Sequence, residues 1–347
     1  MVLPDVPHTF TSRIRTHRIT DYPMTELPTA AICTPLDLEY WALRDLLPRH
    51  RFTERTERGT AFAVTELQGR HSDWRLVLTL SGRRNADTAV AAERAIATWR
   101  PQVLLLVGIA GGLRGVSIGD VIAASSVYHY EPGQDTDAGR FTRVETLRAS
   151  HGLSQQAQLI KDEWAGRLGL APGETPPRVF HRPIAAGSQV VTGSKSDTAA
   201  LIETHAGDAH GVETEGFGAL AAAWPNAGVE AMVIRGVSDL LDDKNPAADQ
   251  ERQPRAARNA AAFALALVER LDPGPGPFLD PPAPGKREPS GPAQTTINYI
   301  GAIGDGADIT VGAMGPNSNG RVVAGQYRQS PPRASRNDRE RIEGDQP

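Results

Sequence analysis

The sequence predicts an α/β fold, a mixed central β-sheet flanked by helices, on three observations. From Ala30 onward, short apolar runs alternate with Ala- and Leu-rich segments of helical period, the pattern of a sheet covered on both faces. One run, VLLLVGIAGG, is a continuous apolar strand that reaches a glycine cluster, as a buried central strand does. After Leu271 the pattern stops in DPGPGPFLDPPAPGKREPSGP, where proline removes backbone donors and glycine removes stiffness, so the core ends there. The predicted strands are Ala30–Thr34, Thr60–Leu67, Trp74–Ser81, Val103–Gly108, Val121–Tyr130, Ile184–Val191, Gly211–Glu213 and Ala231–Val237, most of them β-branched or alternating. Between them, apolar spacings of three and four predict helices over Pro35–Leu47, Ala86–Trp99, Lys195–His205, Glu215–Trp224 and Pro254–Leu271.

A chain of 347 residues accommodates one large domain with extensions. The organisation expected is an N-terminal tail over 1–28, the domain over 29–272, a Pro/Gly-rich linker over 273–293, a β-prone Gly/Asn-rich stretch over 294–326 and a disordered charged tail over 327–347. A net charge of -4 gives no positive field to draw a phosphate backbone, so nucleic acid is not an expected partner. The sequence has no apolar run of membrane-spanning length, and membrane is likewise not expected. Cys33 is the single cysteine, which excludes an intramolecular disulfide and a cysteine-based zinc site. The compartment expected is the cytoplasm.

Four segments carry chemistry. In the first, Gly108, Gly111 and Gly112 end a strand at a sheet edge, where backbone amides without a Cβ can lie against a base or sugar; alternatively they serve only a turn. In the second, Glu213-Thr214-Glu215 places two carboxylates two residues apart before the small-residue helix GFGALAAA. A ribose with adjacent hydroxyls supplies the donors such carboxylates need, although a glutamate in a first helical turn is also favoured by the dipole. In the third, a strand finishes in Arg235-Gly236-Val237-Ser238-Asp239, and Asp239 fits a general acid for a departing base or an ordinary helix N-cap. Holding a proton near neutral pH requires a raised pKa, which burial favours and Arg235 opposes. In the fourth, Glu39 follows the first strand and suits activation of a water, unless with Asp37 it merely decorates a helix start. The histidines show no metal-ligand spacing.

In chain order and spacing these four segments resemble the nucleoside phosphorylase and nucleosidase superfamily, most of all its methylthioadenosine/S-adenosylhomocysteine nucleosidases, across Ala30 to Leu271. The resemblance implies a single phosphorylase-like domain in which Glu39 orients the hydrolytic water, Glu215 binds ribose hydroxyls and Asp239 protonates the base. It also implies that Ser238 and Arg235 support the acid and that Val190 and Val191 lie near the base; Glu213, Thr214, Gly111 and Gly112 complete the expected substrate-binding set. No cofactor and no metal are implied. A homodimer is.

Where this chain departs from the family pattern, the departures carry information. The hexameric phosphorylases have a G-D-P-x-R phosphate loop after the first strand; here the segment is Cys33-Thr34-Pro35-Leu36-Asp37, which favours water over phosphate as nucleophile. Thr214 stands where the family often has methionine, making the ribose pocket less apolar. At Ser81-Gly82-Arg83-Arg84-Asn85, where the family usually shows a second glycine soon after the first, this chain has two arginines near the expected ribose site. Arg84 and its neighbour can bind phosphate, which would make the substrate an adenine nucleotide, or they are a solvated surface pair. The segments Ile297–Gly301 and Ile309–Gly312 weakly resemble bacterial amyloid-signalling motifs, which would recruit a partner protein carrying a like motif; a Gly-rich tail is the plainer reading. The expected function is hydrolysis of the N-ribosidic bond of a purine nucleoside or nucleotide, as an effector in signalling or defence if the tail recruits. Phosphorolysis and a nucleoside-sensing adaptor are the alternatives.

Overall fold

In the computed structural model the described residues are 27–273, apart from 138, 161, 242 and 244. The linker beyond residue 273, the β-prone stretch, the charged tail and most of the N-terminal tail lie outside them. The strands are β1 (Thr29–Thr34), β2 (Thr53–Glu57), β3 (Thr60–Leu67), β4 (Trp74–Leu80), β5 (Val103–Gly112), β6 (Val121–Ala123), β7 (Ser126–His129), β8 (Gly133–Thr136), β9 (Gly139–Thr142), β10 (Glu145–Arg148), β11 (Val179–Phe180), β12 (Ile184–Ala186), β13 (Gly211–Glu213) and β14 (Glu230–Leu240). The α-helices are α1 (Asp37–Asp45), α2 (Asn85–Trp99), α3 (His151–Leu159), α4 (Asp197–His205), α5 (Gly216–Ala223) and α6 (Pro246–Arg270).

Twelve strands form one sheet with the path β10-β7-β12-β13-β5-β1-β4-β3-β2, to which β14 adds along β5, β6 along β14 and β11 along β6; β8 and β9 make a separate hairpin. The sheet is mixed. β1 runs parallel to β4 and β5, and β14 parallel to β5, whereas β13 meets β5 antiparallel. β5 is therefore the hub: its first half is flanked by β1 and β14, and its glycine-rich end by β13 and β14. Apolar side chains that alternate along β1, β4, β5 and β14 feed two layers. On one face Ile32, Leu105 and Ile234 pack with Leu43 of α1, Leu153 of α3 and Phe263 and Leu267 of α6. On the other, Cys33, Leu106 and Val233 pack with Ala92 and Ile96 of α2 and Leu220 of α5. Burial of a large aliphatic side chain contributes roughly 1.5–3 kcal/mol, so these two layers are a main source of the domain's stability. α4 closes a third cluster through Ala199 and Ile202.

Several predicted bounds shift for physical reasons. The run after Ile184 leaves the sheet at Gly187, whose backbone packs so close to Tyr130 that a Cβ would lie 2.1 Å from its hydroxyl oxygen. Val190 consequently sits outside the strand predicted for it, and is 65% exposed. Val121–Tyr130 divides into β6 and β7. Helix α6 begins eight residues before Pro254, because Asn245 caps it by accepting from the Ala247 amide at 3.0 Å, and Pro254 is accommodated inside it. No helix among the described residues is long and apolar enough to cross a membrane.

Candidate active site

The parallel strands β1, β4, β5 and β14 bring their carboxyl ends to one edge, where open α/β sheets place ligands. Glu39 enters from the first turn of α1. Its Oε2 accepts from the Leu36 amide at 2.7 Å, the helix-capping contact, and its Oε1 reaches across to the Ile109 amide of β5 at 2.8 Å. A side chain that only decorated a helix start would not make the second bond or be 2% exposed. Burial pushes its pKa up to about 7, against the opposing pull of Arg235 and the two amides.

Arg235 projects from β14 directly beside Gly108 of β5, its partner in register. A Cβ at Gly108 would lie 2.3 Å from Arg235 Nη1 and 2.5 Å from Glu39 Oε1, so the absence of a side chain there is what lets the two approach one another. The fully buried guanidinium ion-pairs with Glu213 and, at 3.1 Å, with Glu215 Oε2. Burial alone would lower the pKa of Arg235, but Glu213, Glu215 and Glu39 outweigh it and hold it above its usual value. Arg235 Nε and Nη1 are buried without a hydrogen-bond acceptor among the described residues. Its ion pairs thus run to Glu213 and Glu215, a connection the sequence pattern does not reveal.

Glu213 is pinned from below. It accepts from the Glu215 and Gly216 amides at 2.8 to 2.9 Å, and a Cβ at Gly216 would lie 2.6 Å from its Oε1. Burial raises its pKa, Arg235 opposes, and Glu215 adds to the rise. Glu215, at the start of α5, accepts from the Arg84 amide at 2.9 Å and from the Thr214 hydroxyl. Those two donors fill Oε1, while Oε2 has one lone pair beyond the one Arg235 takes.

Asp239 lies past a bulge in β14 between Val237 and Asp239, paired with Gly111, and is 4% exposed. A bulge of this kind re-aims a side chain at a sheet end. Ser238 donates to Asp239 Oδ1 at 2.6 Å, with the Ala110 carbonyl 3.3 Å away. Asp239 Oδ2 is 3.7 Å from where a Gly111 Cβ would stand, whereas a Cβ at Gly112 would overlap Val116, Val237 and Leu240. Gly111 therefore faces the acid, and Gly112 is required by packing. Val191 is buried in the cluster that holds Val212. Among the described residues no three His, Cys, Asp or Glu side chains gather as a metal site would need.

Arg84 has φ +85° and ψ 154°, a backbone region that glycine adopts freely and other residues at a cost of about 1–3 kcal/mol. The Glu215 carboxylate on its amide holds it there.

Residues 29–269 match the Phosphorylase superfamily. The chain belongs to this superfamily. It is 27% identical over 210 residues to a 5′-methylthioadenosine/S-adenosylhomocysteine nucleosidase of Maridesulfovibrio salexigens, covering 58% of this chain and 85% of that one. It is 26% identical over 237 residues to the ATP nucleosidase Cap17 of Escherichia coli, covering 62% of this chain but only 46% of that longer protein. Among solved structures, the Neisseria meningitidis 5′-methylthioadenosine/S-adenosylhomocysteine nucleosidase superposes with a TM-score of 0.56 at 24% identity, covering 70% of this chain and 99% of that one. The Helicobacter pylori futalosine hydrolase gives 0.57 at 18%, covering 71% and 99%. These likenesses fix the superfamily fold over the described domain.

The Gly108 contact supplies a direct test. Gly108→Ala is expected to cost about 1–3 kcal/mol of stability through overpacking and to reduce turnover, because both Glu39 and Arg235 must retreat. Thermal unfolding together with base release checks this; a variant matching the parent in both would contradict the geometry.

Proposed function

We infer that this member of the phosphorylase superfamily is a hydrolase that cleaves the N-ribosidic bond of a purine nucleoside or nucleotide. The observation that carries the choice of water over phosphate is the charge of the site: Glu39, Glu213 and Glu215 converge on a single guanidinium. A phosphate dianion brought beside Glu39 meets buried like charge, which is poorly screened, while water does not.

In the proposed reaction Glu39 Oε1 and Arg235 Nη1, which both crowd the position of a Gly108 Cβ, hold the water between an acceptor and a donor. The water oxygen bonds to the ribose anomeric carbon as the bond to the base breaks. Its proton passes to Glu39, whose carboxylate has lone pairs beyond the two taken by the Leu36 and Ile109 amides. Glu215 binds a ribose hydroxyl through the remaining lone pair of Oε2, and Thr214 offers a second polar contact. Asp239, aligned by Ser238, gives its proton to an imidazole nitrogen of the departing purine. Glu213 acts on the substrate only through Arg235 and the α5 amides. Gly111 and Val191 are proposed to border the base; Val190, on the surface, would do so only in a closed or paired form.

A base with a pKa of about 7 is half ionised at that pH, so activity should rise as pH increases through 7 and level off above it. The test is base release in phosphate-free buffer from about pH 5.5 to 8.5. A rising limb supports Glu39 as base, and a rate independent of pH over that interval argues against it. The cytoplasmic setting, the homodimer and an effector role through a like-motif partner remain part of the proposal; the last rests on residues 294–326, outside those described.

A further inference from the structure

Resting on that reading of the site, we propose that Arg83 and Arg84 form a subsite for the 5′-phosphate of a purine nucleotide. With Glu215 on the ribose hydroxyls and Glu39 at the anomeric carbon, the one substituent of the sugar left to be recognised is that on C5′. The loop adjoining Glu215 is 81–85, since the Arg84 amide is bonded to Glu215 Oε1 at 2.9 Å. That loop is fixed rather than incidental. Asn85 donates to the Gly187 carbonyl at 3.1 Å and accepts from the Gly218 amide at 2.9 Å, and α5 packs so close that a Gly218 Cβ would lie 1.9 Å from the Asn85 carbonyl.

On this rigid turn both guanidiniums are exposed, and neither has a hydrogen bond or ion pair among the described residues. Elsewhere in the domain Arg44, Arg70, Arg114, Arg167 and Arg178 each have a carboxylate partner. Asp87, the acid of the same loop region, lies beside Gly82. Arg84 also holds a positive-φ backbone conformation that glycine adopts more readily than a residue with a side chain. Two adjacent planar forks without protein partners suit the bidentate, charge-assisted recognition of phosphate oxygens. A 5′-alkylthio group offers such a pair nothing to bind.

The test uses the full chain and compares free-base release from AMP, ATP, adenosine and 5′-methylthioadenosine, for the parent and for the double variant Arg83→Ala, Arg84→Gly. The glycine keeps the amide that Glu215 binds and relieves the strained backbone, so the variant folds at least as readily at that position. We expect kcat/KM to favour the nucleotides by about 100-fold, and the variant to lose most of that preference, the scale of one or two charge-assisted contacts. A merely structural loss would lower all substrates together and leave the preference intact, which would overturn the proposal. Turnover of adenosine or methylthioadenosine in preference to nucleotides would overturn the phosphate subsite while sparing the nucleosidase reading. Release of base from none of the four would overturn both.

Discussion

Glu39→Gln is expected to lower the rate of base release by about 1,000-fold, within the range for removal of a general base, with KM changed far less. The amide cannot take a proton from water, and its NH2 must face either the Leu36 or the Ile109 amide, both of which now donate to a carboxylate. Some stability is lost for the same reason, because an N–H left facing another N–H in a buried site costs about 1–3 kcal/mol. The rising pH limb should vanish with the carboxylate. Steady-state kinetics and a pH profile of the variant check both statements, and a variant retaining the limb would move the titrating role to another group.

Asp239→Asn is expected to have an effect of similar size, about 1,000-fold, but of a different kind. The asparagine keeps an oxygen for the Ser238 hydroxyl and occupies the same volume near Gly111, so the fold should persist. What it lacks is a proton for the leaving base. A riboside whose leaving group is a nitrophenolate needs no protonation, so the loss with that substrate should shrink to about tenfold for Asp239→Asn while Glu39→Gln stays impaired. Equal losses on both substrates would mean that Asp239 orders the site without acting as the acid.

How far the sequence discloses this account varies with the kind of contact. Central strands such as β1, β4 and β13 are legible because their side chains alternate or are uniformly apolar between turn residues. The edge elements β2, β8 and β10 are not, since their exposed polar residues carry no hydrophobic period. The start of α6 is missed although Asn245-Pro246 is a capping signal, because Pro254 suggests a later boundary. Within the site, Glu39 and Glu215 stand out as acids at helix starts just after strands, and Asp239 as an acid at a strand end. The joining of Glu213 and Glu215 through Arg235 lies 20 to 22 residues apart in the chain and depends on the β5–β14 register and on the missing side chain at Gly108. No local pattern encodes such a pairing. Equally, the left-handed backbone of Arg84 is invisible in a residue type that rarely adopts it.

The central claim is that water, activated in a site rich in carboxylates, displaces a purine from ribose. It is tested most directly by chromatographic measurement of free purine base from nucleoside and nucleotide substrates, with the chain in buffer free of phosphate and again with phosphate added. The account predicts base release at the same rate in both. Release that depends on added phosphate would make the chain a phosphorylase, and tight binding of the same compounds without any release would make it a sensor.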